Sequence, residues 1–202
     1  MKPKPFREIV EDAKRSVRPL RGSVKLRGAL DAFGVAVEGR TCLDVGASTG
    51  GFTTVLLERG AARVYAVDAG HGQLLGSLRQ DPRVIDLEAT NVGVLGSDLI
   101  PDDLDLVTVD VSYLSLRQAI SQLDRLDLAD GCELVGLVKP MFELGLPEAP
   151  TDERVLAEAT EVAAEGIAAA GWTVVAHRPS SVRGAKGAIE GFVHARHTPA
   201  TR

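Results

Sequence analysis

Four charged residues stand where apolar, strand-like runs of the sequence begin or end. Asp110 and Lys139 each end such a run, Lys25 precedes the first run and Glu190 precedes the last. Burial penalises an ionised side chain unless it is paired. Loops at the carboxyl ends of parallel strands converge on one edge of a sheet. We therefore predict that these two lysines and two carboxylates form one catalytic constellation.

A glycine-rich segment at residues 44–51, Asp-Val-Gly-Ala-Ser-Thr-Gly-Gly, connects a buried strand to a helix. Glycines there let backbone N–H groups and carbonyls approach a ligand at the carboxyl edge of the strand. Asp68 ends the second strand, where a carboxylate can accept both hydroxyls of a ribose. Asn91, after the third strand, is a candidate for the adenine end. The predicted cofactor contacts are Asp44, Gly46, Ala47, Ser48, Thr49, Gly50, Gly51, Phe52, Asp68, Asn91 and Asp110.

Several kinds of site compete for this segment, and the residue types favour one of them. A dinucleotide site prefers Gly-x-Gly-x-x-Gly, but Ser48 stands at the second glycine and Asp44 would crowd a pyrophosphate. Gly-Ala-Ser-Thr-Gly matches the nucleophile elbow, although that elbow follows several earlier strands and this one follows the first. A glycine-rich turn without a ligand leaves Asp68 unexplained. S-adenosylmethionine carries an ammonium and a sulfonium, which suit an acidic strand end, and we predict it as the cofactor.

Alternating strand-like and helix-like patterns from residue 41 onward position these side chains. They predict an α/β, Rossmann-like fold with a seven-stranded, mostly parallel sheet and helices on both faces. A short connection between the last two strands is typical of class I methyltransferases, in which the final strand runs antiparallel; other doubly wound folds share the periodicity. Strands are predicted at 41–45, 63–68, 84–88, 104–111, 133–139, 173–177 and 191–196, and helices at 24–33, 51–59, 73–79, 115–128 and 151–170.

Length and composition exclude several classes of protein. The 202 residues, 45% of them hydrophobic and 25% charged, suit one domain with a sizeable core. No apolar run reaches the ~20 residues that span a bilayer, and the polar N-terminus lacks the apolar core of a secretory signal. Cys42 and Cys132 have no paired spacing and predict reduced core thiols, while the histidines lack a metal-ligand set. We expect a cytoplasmic protein without a metal site or a membrane segment.

Charge is distributed unevenly along the chain. Residues 1–27 carry nine Lys and Arg against three acidic residues, and residues 177–202 carry five against one, although the whole chain has a net charge of −5. If the basic ends meet in space, they form one face suited to RNA; otherwise they serve only solubility. Residues 1–20 are predicted to be a basic arm or short helix ahead of a catalytic domain at 21–198.

Several of these segments together resemble the TlyA (hemolysin A) branch of the FtsJ-like ribosomal RNA methyltransferases. The resemblance rests on Lys25, residues 44–52, the segment Thr-Val-Asp-Val-Ser-Tyr at 108–113, the segment Leu-Val-Lys-Pro-Met-Phe-Glu at 137–143, and residues 184–190. It runs from residue 20 to residue 197. It implies transfer of a methyl group from S-adenosylmethionine to a ribose 2′-hydroxyl of ribosomal RNA, through a tetrad of Lys25, Asp110, Lys139 and Glu190.

In the roles that the resemblance implies, Lys139 takes the proton of the acceptor hydroxyl, Asp110 and Glu190 orient the two lysines, and Asp68 holds the cofactor ribose. A lysine can act as a base where burial and a neighbouring cation favour its neutral form. Members of the family usually carry an N-terminal S4-like RNA-binding domain, and we expect this chain to lack it. The acceptor side also departs from the family, for example in Met141, where glutamine is common.

Three functions stay open at the level of sequence. The first is a ribose methyltransferase acting on ribosomal RNA. The second is a small-molecule methyltransferase on the same scaffold, which would fit the acidic middle of the chain. The third is an RNA- or cofactor-binding protein without turnover, and the intact set of two lysines and two carboxylates argues against it. The oligomeric state is not encoded in any pattern of the sequence.

Overall fold

The computed structural model describes residues 20–198, which form one sheet flanked by helices. The predicted arm at 1–20 lies, except for its last residue, outside the described residues. The strands are β1 (Thr41–Val45), β2 (Arg63–Val67), β3 (Val84–Leu87), β4 (Leu104–Val109), β5 (Leu128–Val138), β6 (Trp172–Pro179) and β7 (Gly191–His197). The helices are α1 (Arg21–Phe33), α2 (Gly51–Glu58), α3 (Gly76–Arg79), α4 (Leu116–Ile120), α5 (Pro140–Glu143) and α6 (Glu153–Ala169), with short 3₁₀ turns at Val92–Val94 and Ala185–Gly187.

The seven strands lie in the order β3-β2-β1-β4-β5-β7-β6. Parallel pairing runs from β3 to β5, and β7 pairs antiparallel with both β5 and β6. This order confirms the predicted Rossmann-like fold with an antiparallel last strand. The chain leaves β1 toward β2 and β3 and then returns to β4 on the other side of β1. The carboxyl ends of β1 and β4 therefore border the crevice where such sheets bind ligands.

Each face of the sheet has its own apolar core, because the side chains of a strand point alternately to the two faces. On one face, Leu26 of α1 and Phe52 of α2 pack with Leu106 of β4. On the other face, Leu116 of α4 and Ile167 of α6 pack with the remaining strand side chains. Helices therefore cover both faces, as predicted.

Helices α1 and α2 approach each other through glycine backbone. A Cβ atom on Gly51 would lie 3.1 Å from the Cα of Gly22, closer than side chains normally come. Helix α1 ends at Gly34, which adopts a left-handed conformation with φ +68°. The close contact places the first turns of α1, including Lys25, beside the loop that precedes α2.

Two predicted helices are shorter in the structure, and in each the residues left out of the helix hydrogen-bond to another element. The helix predicted at 73–79 begins only at Gly76, because the N–H groups of Gly72, Gln73 and Leu74 donate to the carboxylate of Glu88. The helix predicted at 115–128 ends at Ile120. After it the chain turns, and the Asp127 carbonyl accepts a hydrogen bond from the Leu104 N–H at the start of β4.

Other element boundaries differ by a few residues. β5 begins at Leu128 and β6 extends to Pro179, so both are longer than predicted, because their pairing with neighbours continues past the apolar core. Helix α6 is capped by Asp152, whose carboxylate accepts a hydrogen bond from the Arg154 N–H, so the helix begins two residues after the predicted start at residue 151. Helix α5 was not predicted.

A buried carboxyl group joins the segment after β5 to the start of α4. Glu143 is 2% exposed, and its Oε1 accepts a hydrogen bond from the Leu116 N–H. Ser115 forms a capping box with Gln118 at the same helix end. Burial raises the pKa of the Glu143 carboxyl above its usual range. The loops that follow β4 and β5 are therefore joined about one helical turn beyond the residues predicted to be catalytic.

The two cysteines are free and buried, in agreement with the prediction of reduced core thiols. Burial raises the pKa of both Cys42 and Cys132 to about 12, which disfavours their reactive thiolate forms. Within residues 20–198, His, Cys, Asp and Glu nowhere form a group of three that could hold a metal ion. No helix in the same part of the chain has the length and apolarity to cross a membrane.

Candidate active site

The loop after β1 lies against the loop after β4, and only glycine permits this approach. Gly46 has φ +87°, and a Cβ atom there would lie 2.4 Å from the backbone oxygen of Asp110. The Asp110 N–H donates to the Val45 carbonyl at 2.9 Å, which extends the pairing of β1 and β4 by one residue. The glycine loop and Asp110 therefore form one continuous surface.

Asp68, directly after β2, fixes the glycine loop through hydrogen bonds. One carboxylate oxygen accepts a hydrogen bond from the Ser48 N–H at 2.8 Å, and the other accepts from the Gly70 N–H at 2.6 Å. Each oxygen keeps a second lone pair, which is available to a ribose hydroxyl. Ser48 has φ +48° and its hydroxyl donates to Gln73 Oε1 at 3.0 Å. Its partner is an amide and not a base, so the contacts give no support to a nucleophilic Ser48.

Asp44 lies beneath the loop and is fully buried. Its oxygens accept hydrogen bonds from the Thr53 hydroxyl at 2.7 Å and the Thr108 hydroxyl at 3.1 Å. Burial raises the pKa of this carboxyl to about 7. Asp44 thus connects β1 to α2 and β4 from below, and its contacts are those of a residue that supports the loop. Direct contact of Asp44 with a cofactor stays a prediction.

The remaining predicted cofactor residues are distributed over the loop and its neighbourhood. Gly50 precedes α2 with φ +93°, where a Cβ atom would lie 2.0 Å from the Leu78 side chain. Asn91 is exposed and its Oδ1 accepts a hydrogen bond from the Gly93 N–H at 3.0 Å, which caps a 3₁₀ turn. The described contacts of Asn91 are therefore local, and its role at the adenine end stays a prediction.

Lys139 and Asp110 form an ion pair at the carboxyl ends of β5 and β4. The Nζ atom of Lys139 lies 2.5 Å from Asp110 Oδ1. It also donates to the Val111 carbonyl and to the Ser112 hydroxyl, both at 2.8 Å. The side chains of Lys139 and Asp110 are 15% and 22% exposed, so the pair is accessible from solvent.

Lys25 and Glu190 form a second, more deeply buried ion pair. Their side chains are each 7% exposed and the Lys25 Nζ lies 2.5 Å from Glu190 Oε2, although 165 residues separate them in sequence. Gly184 lies directly against this carboxylate, since a Cβ atom on Gly184 would be 2.2 Å from Glu190 Oε1. The segment before β7 is therefore folded around Glu190. The structure brings together all four residues of the predicted tetrad, as two ion pairs.

A cavity of 470 Å³ lies over both ion pairs. A smaller cavity of 180 Å³ lies along the glycine loop, and the two share the wall formed by Arg21, Gly22, Gly46, Ser48 and Asp110. Their combined shape is a groove that runs from the glycine loop to the ion pairs. The far wall of the larger cavity consists of Lys25, Ser112, Lys139, Pro140, Met141, Phe142, Ala149, Pro150, Ala185, Ala188, Ile189 and Glu190.

The groove fits a cofactor with an adenosyl group and positive charge. Its narrow part is lined by residues of the glycine loop, where Gly46 lies against the Asp110 backbone. The Asp110 carboxylate borders both cavities and would favour a sulfonium or ammonium group. Volumes of this order are typical of small-molecule and cofactor sites. The larger cavity then remains for the group that accepts the methyl.

Sequence reasoning missed two residues of the groove. Arg21 lines it, and Ser112 contacts Lys139 directly. Ser112 follows Asp110 by two positions, and this spacing at the end of a strand was the available signal. Arg21 carried no signal, because its place at the groove depends on the contact between α1 and α2.

The fold, the glycine loop and the adjoining ion pairs together define an S-adenosylmethionine-dependent methyltransferase. A family profile described as FtsJ-like methyltransferase matches residues 19–197. The chain belongs to the FtsJ-like methyltransferase family, and S-adenosylmethionine is its cofactor, as predicted from the loop.

Individual relatives agree with this assignment. A 16S/23S rRNA (cytidine-2′-O)-methyltransferase TlyA from Mycobacterium tuberculosis is 43% identical over 190 residues, which cover 92% of this chain and 70% of the relative. Hemolysin A from Brachyspira hyodysenteriae is 36% identical over 184 residues, which cover 86% and 75%. A solved structure assigned as a hemolysin from Streptococcus thermophilus superposes with a TM-score of 0.83 at 36% identity, covering 89% of this chain and 67% of that one.

Gly46→Ala is expected to weaken cofactor binding, because the added Cβ would collide with the Asp110 backbone. Displacing that loop at positive φ costs about 1–3 kcal/mol, which corresponds to a Kd about 5- to 150-fold weaker in calorimetric titration with S-adenosylmethionine. Gly39→Ala is the matched control, since Gly39 has φ +73° but nothing within 4 Å of an added Cβ. Equal affinities of the two variants would contradict the proposed contact.

Asp44→Asn is expected to remove a pH dependence of stability. Because burial raises the folded-state pKa from 3.8 to about 7, the folded state favours the protonated carboxyl, and this stabilisation is lost as pH rises from about 4 to 7. At about 1.36 kcal/mol per pKa unit, the free energy of unfolding of the wild type should fall relative to the variant by about 4 kcal/mol. Urea unfolding between pH 4 and pH 8 measures the difference. The exposed Asp124→Asn serves as the control, and parallel curves for wild type and Asp44→Asn would refute the prediction.

Proposed function

We propose that the protein transfers a methyl group from S-adenosylmethionine to a ribose 2′-hydroxyl of ribosomal RNA. The proposal rests on one observation: two ion pairs, Lys139–Asp110 and Lys25–Glu190, face the same cavity at the end of the glycine loop. The Mycobacterium tuberculosis relative is named for methylation of cytidine 2′-oxygens in 16S and 23S rRNA. A hydroxyl acceptor needs its proton removed, and this site supplies a lysine for that purpose.

The cofactor side of the site has a structural and an electrostatic part. Bound S-adenosylmethionine supplies an activated methyl group, so alignment with the acceptor provides much of the acceleration. In the proposal, the backbone of residues 46–51 lies against the cofactor, and Asp68 accepts hydrogen bonds from its ribose hydroxyls. Asp110 contributes negative charge where the two cavities meet. These residues hold and orient the donor.

The acceptor side is where the two lysines act. Lys139 takes the proton of the acceptor hydroxyl, and Asp110 holds its Nζ atom in place at 2.5 Å. Lys25, fixed by Glu190, presents a second positive charge to the same cavity. A cation there stabilises negative charge that develops on the acceptor oxygen. The two ion pairs thus divide proton removal and charge stabilisation between them.

A basic rim supports RNA as the acceptor. We define the basic rim as Arg21, Arg183 and Lys186, all three exposed. Arg21 lines the cavity, and Arg183 and Lys186 lie in the segment whose Ala185 and Ala188 line it. The acidic residue of that segment, Glu190, is buried against Lys25 and does not belong to the exposed rim. Phosphate groups on either side of an acceptor ribose would find positive charge at this rim.

A small-molecule acceptor is the second candidate, and the size of the cavity favours it. A volume of 470 Å³ lies within the range of ordinary small-molecule pockets. The ion pairs serve a small alcohol or phenol as well as a ribose. The positive charge of the basic rim distinguishes the two candidates, since a neutral metabolite would form no ionic contacts with it.

Labelled S-adenosylmethionine is expected to transfer its methyl group to isolated ribosomal subunits or ribosomal RNA, and label should appear on a 2′-O-methyl nucleoside after digestion. Lys139→Ala should reduce turnover at least ~100-fold, the usual contribution of a positioned base, while the Kd for S-adenosylmethionine changes little. Asp68→Ala should chiefly weaken cofactor binding. Label found only in small molecules of a metabolite extract, or on bases of the RNA, would overturn the proposal.

Lys186→Ala is expected to weaken RNA binding by removing one phosphate contact. The plot of the logarithm of the RNA association constant against the logarithm of the salt concentration should become less steep by about one. The affinity for the cofactor should not change. Arg125→Ala is the matched control, because Arg125 is equally exposed but lies in the turn before β5, at the opposite edge of the sheet. Filter binding between 50 and 300 mM salt, on the order of physiological ionic strength, measures both slopes. Identical slopes for the two variants would refute a role for the rim.

A further inference from the structure

The Lys139 ammonium has three oxygen neighbours in the loop after β4. It donates hydrogen bonds to the Val111 carbonyl and to Ser112 Oγ, both at 2.8 Å, and forms an ion pair with Asp110 Oδ1 at 2.5 Å. A lysine ammonium has three donors and no acceptor. These neighbours suit an ammonium, whereas a base needs a free lone pair.

The three acceptors differ in what they offer to a neutral amine. The Asp110 carboxylate and the Val111 carbonyl can only accept hydrogen bonds. The Ser112 hydroxyl can accept one and can also donate one, because its hydrogen rotates freely. Ser112 is therefore the partner among these three that can satisfy Lys139 in both protonation states. With Lys139 neutral, the amine donates to Asp110 and Val111 and its lone pair receives the Ser112 hydrogen.

Ser112 is the more exposed of the two residues at the cavity. Both residues line the larger cavity, but Ser112 is exposed while the Lys139 side chain is 15% exposed. The other charged groups on this cavity are Asp110, the Lys25–Glu190 pair and Arg21. Arg21 keeps its protons, and Lys25 and Glu190 are engaged with each other. An acceptor hydroxyl in the cavity therefore meets Ser112 Oγ as readily as Lys139 Nζ.

We propose that Ser112 relays the proton from the acceptor hydroxyl to Lys139. In this step, which rests on the proposed methyl transfer to a hydroxyl, the acceptor O–H bond breaks as its oxygen forms the bond to the methyl carbon. The bond from that carbon to the sulfonium sulfur breaks at the same time, and S-adenosylhomocysteine, a neutral thioether, is the leaving group. The acceptor proton passes to Ser112 Oγ, and the Ser112 hydrogen passes to the lone pair of Lys139. Ser112 ends as a hydroxyl and Lys139 as an ammonium paired with Asp110. The proton is released to solvent before the next turnover.

Ser112→Ala is expected to lower kcat about 100-fold, at the low end of what a positioned proton transfer contributes. KM for the acceptor and for S-adenosylmethionine should stay within about twofold of wild type, because the relay acts only as the proton moves. Ser112→Thr, which restores a hydroxyl, should recover most of the lost kcat. Ser121→Ala, which removes an exposed hydroxyl bonded to the Gln118 carbonyl, is the matched control.

The pH profile separates a relay from a structural role. Without Ser112 Oγ both forms of Lys139 lose a hydrogen bond, but the ammonium loses the stronger, charge-assisted one, so the neutral form becomes easier to reach. The acidic limb of the kcat–pH profile should therefore move to lower pH in Ser112→Ala and return in Ser112→Thr. Wild-type kcat with an unmoved profile in Ser112→Ala would overturn the relay. Ser112→Cys keeps the volume with weak hydrogen bonding and serves if the alanine variant unfolds early.

A titration without any acceptor makes the outcome independent of the proposed function. The ¹³Cε signal of Lys139, assigned by its absence in Lys139→Arg, can be followed against pH in the isolated protein. Its midpoint should lie lower in Ser112→Ala than in wild type, and an equal midpoint would overturn the inference. Failure of the wild type to methylate RNA would refute the substrate while leaving this titration to decide the role of Ser112.

Discussion

The mutual neutralisation of four charges at one edge of the sheet is the constraint on which the site depends. Lys139 with Asp110 and Lys25 with Glu190 are pairs that join α1, β4, β5 and the segment before β7. A buried charge without its partner is strongly unfavourable, by about 3–5 kcal/mol for a broken pair. Each pair therefore stabilises the arrangement of elements that it joins, while its net contribution to stability remains small. The two ion pairs therefore determine which elements lie together at this edge of the sheet.

Glycine makes these pairings possible by letting backbone segments approach. Gly46 brings the loop after β1 against Asp110, and Gly51 brings α2 against Gly22 of α1. The contact of Gly46 forms the floor of the groove. The contact of Gly51 positions α1, the helix that carries Lys25, beside the groove. Gly184 likewise allows the segment before β7 to close on Glu190. At each point a side chain would separate elements that must touch for a charge to be paired.

Residue patterns predicted the strands well because their apolar runs are a local feature of the sequence. They also placed Asp68, Asp110 and Lys139 at strand ends, where the structure has them. The ion pair between Lys25 and Glu190 has no such local signal, because the two residues lie 165 positions apart in the sequence. The helix predicted at 73–79 lost its first turn for a related reason: the Glu88 carboxylate, from a different element, takes its N–H groups. Contacts with other elements therefore determine the ion pairs and helix ends that the periodicity of the sequence does not specify.

The proton chemistry requires the loop after β4 to keep its shape beside an open cavity, and Glu143 accounts for this. The loop is fixed at one end by Lys139 and at the other by the hydrogen bond from the Leu116 N–H to Glu143. The other oxygen of Glu143 is buried without a hydrogen-bond partner, with the Arg117 Nε atom 4.0 Å away. Burial raises the pKa of this carboxyl above its usual range. The loop that carries Ser112 is therefore held at both ends, by Lys139 on one side and by a buried hydrogen bond on the other.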